Sequence, residues 1–152
     1  PHPESADHSV IEVRTAASTE IKNEDAKASM TVASIDLNEG DFAIIRGRVA
    51  CVKRDHGREY RIHKPNDLND HIERLLLARG MKSADITWGE EDPLQVQSGK
   101  GRRKIQKFLI PARTFLATIK ITDLSLFEAA YLEGIGRKKS FGLGMFSIVT
   151  SV

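Results

Sequence analysis

The sequence predicts an α+β domain, a four-stranded antiparallel sheet with two helices on one face. Three observations predict it. From Asp41 onward, segments with the two-residue period of half-buried strands alternate with two segments of helical period, in the order β-α-β-β-α-β. Both helical segments carry start and stop signals. A long hairpin pattern turns through "SGKG" between the middle strands. That order is the ferredoxin-like (RRM-like) arrangement, which leaves one sheet face open.

Two strands are expected ahead of it. "SVIEVRTAA" (Ser9 to Ala17) alternates Val10, Glu12 and Arg14 against Ile11, Val13 and Thr15, and "MTVASIDL" (Met30 to Leu37) is a weaker strand. Two strands alone are marginal in water. Residues 1–38 are therefore expected to be the remnant of an incomplete first ferredoxin-like domain, and 41–152 the C-terminal one. The chain opens "PHPESADHS" with no initiator methionine, which fits a fragment or a processed chain.

"DFAIIRGRVACVKR" (Asp41 to Arg54) reads as one long strand. Ala43, Ile45, Gly47, Val49 and Cys51 form a small apolar face suited to lie beneath helices, with Arg46 and Arg48 opposite. "DHGRE" turns the chain. "PNDLNDHIERLLLARG" is a helix capped by Asn66 or Asp67, with Leu68, Ile72, Leu75, Leu76 and Arg79 along one stripe and Gly80 closing it. A strand is expected over Asp85 to Trp88, then a hairpin up "PLQVQ" and back through "RRKIQKFLIPARTFLATIKITD". Pro111 marks an edge position or an interruption there. Asp123 caps the second helix, "LSLFEAAYLEG", with Leu124, Phe127, Ala130 and Tyr131 inward, and "MFSIVTSV" is the last strand.

With 152 residues, 40% of them apolar, the chain can bury a real core. No apolar run approaches the ~18 residues of a membrane span. The single cysteine, Cys51, cannot form an internal disulfide, and no signal-peptide pattern is present, so a reducing cytoplasm is the expected compartment. One cysteine and scattered histidines give no zinc-ligand spacing, and no cofactor is expected. Net charge is only +2, yet "GKGRRKIQK" and "GRKKS" gather eight cations into two short stretches. Such clusters set the local field that a polyanion meets. The acidic run Glu90-Glu91-Asp92 has no evident partner and is expected to be solvated.

The second basic stretch lies in "GIGRKKSFGLG", where Gly134, Gly136, Gly142 and Gly144 flank Arg137, Lys138 and Lys139. A dinucleotide fingerprint needs a strand before its glycines and a helix after them, and here the order is reversed. A phosphate loop needs lysine and a hydroxyl after its last glycine, but Leu143 follows Gly142. A plain helix cap needs only one glycine. Four glycines around three cations point to a backbone that bends closely against something negative.

"GIGRKKSFGLGMF" resembles the C-terminal glycine-rich loop of the repeat-associated (RAMP) proteins of CRISPR systems. Its phrasing is most similar to the CRISPR repeat-processing endoribonucleases of subtype I-E, the CasE type. The resemblance extends through "SGKGRRKIQ" and "ATIKITD" and back to "FAIIRGR". Arg46 and Arg48 fit the family strand, whereas the asparagine-proline that usually follows is absent. It implies two tandem ferredoxin-like domains that bind the stem-loop of precursor CRISPR RNA, cut it without metal through the nucleotide's own 2′-OH, and stay bound in a surveillance complex. It places the catalytic histidine and tyrosine on the first helix of the first domain, which 1–152 do not match. His2, His8, His56, His63 and His71 match no catalytic position of the family.

The residues expected to meet RNA are Lys100, Arg102, Arg103, Lys104, Lys107 and Arg113 of the hairpin and its return strand, Arg46 and Arg48, and Arg137, Lys138 and Lys139 of the loop. Arginine can fork to guanine edges and lysine neutralises phosphate. Two other readings stand beside cleavage: an inactive RAMP-type RNA-binding module, and a regulatory domain holding a small anion at the glycine loop. The 152-residue chain alone is expected not to cut repeat RNA in a cleavage assay, and site-specific cutting would overturn the assignment of the catalytic groups.

Overall fold

The computed structural model describes residues 36–98 and 106–151. The remnant domain expected over 1–38 lies almost wholly outside them. Eight strands and two helices follow in chain order: β1 (Phe42–Ala50), β2 (Val52–Asp55), β3 (Arg58–Arg61), α1 (Pro65–Leu77), β4 (Met81–Glu91), β5 (Leu94–Ser98), β6 (Gln106–Ile110), β7 (Ala112–Ile121), α2 (Leu124–Glu133) and β8 (Phe146–Ser151). A short 3₁₀ turn, Lys139–Phe141, sits between α2 and β8. The main sheet is antiparallel in the order β4-β7-β1-β8. Without the hairpins β2–β3 and β5–β6, this is the expected β-α-β-β-α-β fold.

The strand expected over 41–54 is two strands. β1 stops at Ala50 because its partner β7 begins only at Ala112, after Pro111, which has no N–H to extend the ladder. Cys51 is held at the break: its N–H donates to the Pro111 carbonyl (2.8 Å) and its carbonyl accepts from the Ile62 N–H (2.9 Å). β2 then pairs with β3 through a two-residue turn, with His56 and Gly57 at φ 45° and 80°. Such turns match the right-handed twist of the strands they join.

α1 starts earlier than its polar residues suggest. Lys64 is the cap and gives no side-chain bond, and Pro65 opens the helix, its fixed φ already helical. At the far end the Gly80 carbonyl accepts from the Thr122 N–H (2.8 Å) and the Asp123 N–H (3.2 Å), so the exit of α1 is tied to the entry of α2. Asp123 caps α2 as expected, its side chain accepting from the Leu126 N–H at 2.9 Å. β4 runs well beyond 85–88. A register shift between Ser83 and Asp85 breaks the alternation that would have revealed its start.

The apolar face of β1 is buried as its pattern requires. Ala43, Ile45 and Val49 pack with Phe115, Ala117 and Ile119 of β7, Ile72 and Leu76 of α1, Phe127 and Ala130 of α2, and Phe146 of β8. Phe115 is fully buried and meets the partly buried Trp88 at 6.2 Å between ring centroids. Trp88 in turn donates its indole N–H to Asn69 of α1 (2.7 Å). Replacing Phe115 with alanine should cost about 3–5 kcal/mol in chemical denaturation, the range for deleting a buried aromatic. A loss below about 1 kcal/mol would mean that this core does not carry the fold.

Candidate nucleic-acid interface

Three projections share one end of the main sheet. The hairpin β2–β3 leaves after Ala50, the hairpin β5–β6 spans from Glu91 to Ala112, and the glycine loop runs into β8 at Phe146. The register pairs Ala50 with Ala112, Glu91 with Arg113 and Gly47 with Phe146, which puts all three together.

A second, smaller core joins two of them. Leu143 of the glycine loop is buried with Ala50, Val52, Ile110 and Ala112, and Leu94 and Val96 of β5 pack against it. Phe108 of β6 meets Phe141 of the loop edge-on, with centroids 6.2 Å apart. The loop therefore seats the hairpin. Its own neck is closed by two bonds: the Ile135 N–H donates to the Gly144 carbonyl (2.9 Å), and the Gly144 N–H to the Arg48 carbonyl (2.7 Å). Gly144 has φ 89°, and a Cβ there would collide with the Ile135 carbonyl oxygen. No other residue fits. Gly142, at φ 79°, has open space around it, so only its backbone angle favours glycine.

Five backbone donors of this loop, those of Gly134, Ile135, Phe141, Gly142 and Gly144, are engaged by the protein's own carbonyls. The N–H groups of Gly134, Gly142 and Gly144 donate to the carbonyls of Ala130, Lys139 and Arg48, and that of Phe141 to Lys138. Gly134, Gly142 and Gly144 thus spend their N–H groups on building the loop. At those three glycines, attraction for phosphate falls to neighbouring side chains.

Among the cations, position separates anchors from free charges. Arg48 is ion-paired with Asp92 (3.0 Å) and also donates to its carbonyl, while its Nε is buried without a partner. Arg113 (3.3 Å) and Arg61 (2.6 Å) converge on Glu91, and hydrogen bonds first from Arg61 and then from Arg113 hold that carboxyl below its usual range. Lys138, at φ 62°, reaches Glu59 of β3 at 3.1 Å and so ties the glycine loop to the hairpin β2–β3. The acidic run is therefore not simply solvated. Glu91 and Asp92 neutralise arginines from β1, β3 and β7.

Arg46, Lys107, Arg137 and Lys139 are exposed and make no ion pair among the described residues. Lys100, Arg102, Arg103 and Lys104 lie outside those residues. Lys53 and Arg58 of the hairpin β2–β3 are further exposed cations at this end, which the sequence reading missed. The signal was present: "VKR" and "REYR" flank a turn containing Gly57.

The comparisons with known proteins bear on the family and the fold. The family described as CRISPR associated protein matches residues 12–149. The chain belongs to the CRISPR-associated protein family. Its fold is similar to that of the CRISPR endoribonuclease Cse3 bound to a 19-nucleotide RNA, with a TM-score of 0.70 and 20% identity over 79% of this chain and 61% of that one. It is also similar to Cas6e from Escherichia coli K-12 (TM-score 0.62, 21% identity, 78% and 65% covered). A chain of a CRISPR RNA-guided surveillance complex is similar too (TM-score 0.59, 22% identity, 81% and 65% covered). At these identities the likeness establishes the fold, and this chain spans a little under two thirds of the length of each. No curated protein matches significantly.

Among the described residues of this CRISPR-associated protein, no three His, Cys, Asp or Glu side chains are grouped to hold a metal ion. His56 contacts Asp55 at 2.8 Å within its own exposed turn. His71 of α1 is 9% exposed, and its pKa is lowered by burial and then by the charges of Arg74, Arg137 and Lys53. The Cys51 thiol is pushed up to about 11, chiefly by burial, and stays protonated.

Because the folded pKa of His71 is depressed, the unfolded chain binds its proton first as pH falls. The stability that neutral His71 provides is complete above its unfolded value of about 6.5 and is lost as pH drops through the folded value. Melting temperature should therefore fall from pH 7 to pH 5, and more steeply than in His71→Gln. Identical pH slopes for the two proteins would remove His71 as a source of acid sensitivity.

Proposed function

We propose that this protein binds the repeat stem-loop of precursor CRISPR RNA at the three-pronged end of its sheet. It serves there in cleavage of that RNA to guide RNA and stays with the product as a subunit of a surveillance complex. The observation that carries the reading is the division of charge just described. Arg48, Arg113 and Lys138 brace the prongs through Asp92, Glu91 and Glu59, and Lys107, Arg137 and Lys139 have no ion-pair partner among the described residues and face solvent. Cse3 bound to RNA and a chain of an RNA-guided surveillance complex, both similar in fold, support it.

The chemistry that goes with this reading is attack by a ribose 2′-OH on the adjacent phosphorus. The bond to the 5′ oxygen breaks, leaving a cyclic phosphate and a free 5′-OH. Such a step needs a base for the attacking hydroxyl, an acid for the leaving oxygen, and cations for the extra phosphate charge. The described residues supply the last of these and hold the stem in place. A-form RNA hides base edges in a deep, narrow major groove, so arginine and lysine on ribbons serve best beside a stem end.

Lys139→Ala and Arg137→Ala should each weaken stem-loop binding with an unchanged melting temperature. Each should also lower the slope of log affinity against log salt by roughly one unit for every phosphate that is no longer neutralised. Lys138→Ala should instead lower the melting temperature slightly by releasing Glu59, within the ~0–1 kcal/mol of an exposed pair. If the salt slope stays the same in both of the first two variants, the loop touches no phosphate and the proposed interface is wrong.

A further inference from the structure

The face of the main sheet opposite the helices carries chemistry that the stem-loop reading does not use. Residues 43, 45, 47 and 49 of β1 point toward the helices, so Phe42, Ile44, Arg46 and Arg48 lie on the other face. Beside them on β7 the register sets Lys120 opposite Phe42, Thr118 opposite Ile44 and Leu116 opposite Arg46. On β4, Lys82 stands opposite Lys120. Lys82, Lys120 and Phe42 thus form a row across three strands, with ~4.8 Å between neighbouring strands.

This face is open among the described residues. Phe42 is 41% exposed and Leu116 42%, and both are larger than a solvated surface requires. Lys120 Nζ lies 5.8 Å from the Phe42 ring centroid. Neither Lys82, Lys120 nor Arg46 has an ion-pair partner among the described residues. Among the described residues, the acids at this face are Asp85, opposite Thr118, and Asp92, paired with Arg48 at the far end. A protein partner with an apolar face would be met by unpaired cations on three sides. A polyanion with flat apolar rings would not.

The face is also continuous with the three-pronged end. Arg48 belongs to both, since its carbonyl accepts from the Gly144 N–H of the glycine loop. From Arg48 to Phe42 is six residues of strand, ~20 Å of track. A single strand leaving a stem held by the prongs would pass Arg46, then Ile44 and Leu116, and reach Phe42 with Lys120 and Lys82 alongside. An exposed aromatic beside cations on an open antiparallel sheet is how sheet-based modules stack unpaired bases, and such stacking tolerates any base.

We propose that the open sheet face binds the single-stranded flank of the RNA whose stem the prongs hold, with Phe42 stacking a base and Arg46, Lys120 and Lys82 neutralising the flank's phosphates. This rests on the stem-loop reading. Two RNAs separate the ideas: a blunt repeat stem-loop, and the same stem-loop with a single-stranded extension of about four nucleotides at its base, tested on each side in turn. The extension should tighten binding by the 152-residue protein at least about fivefold, the lower bound for one stacked base. Phe42→Leu and Lys120→Ala should each reduce that gain while leaving blunt stem-loop binding and melting temperature unchanged. Phe42→Trp should show fluorescence quenching with the extended RNA and none with the blunt one. No gain on either side, or a gain that survives both Phe42→Leu and Lys120→Ala, overturns the proposal. So does self-association in sedimentation that Leu116→Glu abolishes, because the face would then be a protein interface. Failure of the blunt stem-loop to bind at all would instead sink the stem-loop reading, whatever the extension does.

Discussion

Much of this structure hangs on the neck of one loop. Where the chain leaves α2 and enters β8, Ile135 and Gly144 pass so closely that a single methyl group would collide, and two backbone bonds hold them there. One of those bonds ends on the carbonyl of Arg48, in the central strand of the sheet. The loop is thereby anchored in the most rigid part of the domain. From that anchor Leu143 reaches under the hairpin β5–β6, and Phe141 meets Phe108. A basic hairpin that would otherwise wave in solvent has a small core of its own. Gly47 belongs to the same constraint, since a side chain there would run into Phe115 and the Met145 carbonyl.

Electrostatics then sorts the cations that this framework presents. Ion pairs between partly exposed groups add little to stability, about 0–1 kcal/mol each. Their value here is positional. Glu91 draws two arginines from different strands together, Asp92 fixes a third, and Glu59 reaches from β3 to the glycine loop. Each pair also removes a cation from the attraction for polyanions, so the field of this end comes from fewer residues than a count of Lys and Arg would give. Lys107, Arg137 and Lys139 are exposed and have no ion-pair partner among the described residues. Binding through such residues is salt-sensitive by nature, because it releases counterions from the nucleic acid.

The hairpins show how an old plan takes on new surface without disturbing its core. Both β2–β3 and β5–β6 are inserted at the same end of the sheet, and each is closed off by a proline or a turn rather than by a change in the four core strands. Pro111 ends one ladder and lets another begin, with Cys51 bonded across the junction. The Cys51 thiol is buried and free. It is a small apolar group at a crowded crossing, packed with Ile62 and Leu68.

The sequence by itself determined the β-α-β-β-α-β order of the main sheet and its helices, the buried face of β1, the stripe of α1 and the cap at Asp123, and it marked Pro111 as an edge position or an interruption. All of these are set by neighbours within a few positions, through strand alternation, helical period, capping and the missing proline N–H. It also marked the glycine loop as special, without saying for what. What only the tertiary structure decided is which charges of the described residues are paired. Arg48 and Asp92, or Lys138 and Glu59, are far apart in the chain, and no local pattern announces that they meet. The hairpin β2–β3 was hidden for a related reason, since its apolar alternation runs on from β1 and only the end of pairing at Pro111 stops the strand. Likewise the loop's glycines look like an anion cradle in one dimension. In three dimensions the N–H groups of Gly134, Gly142 and Gly144 are taken by the protein's own carbonyls, that of Gly144 in closing the neck.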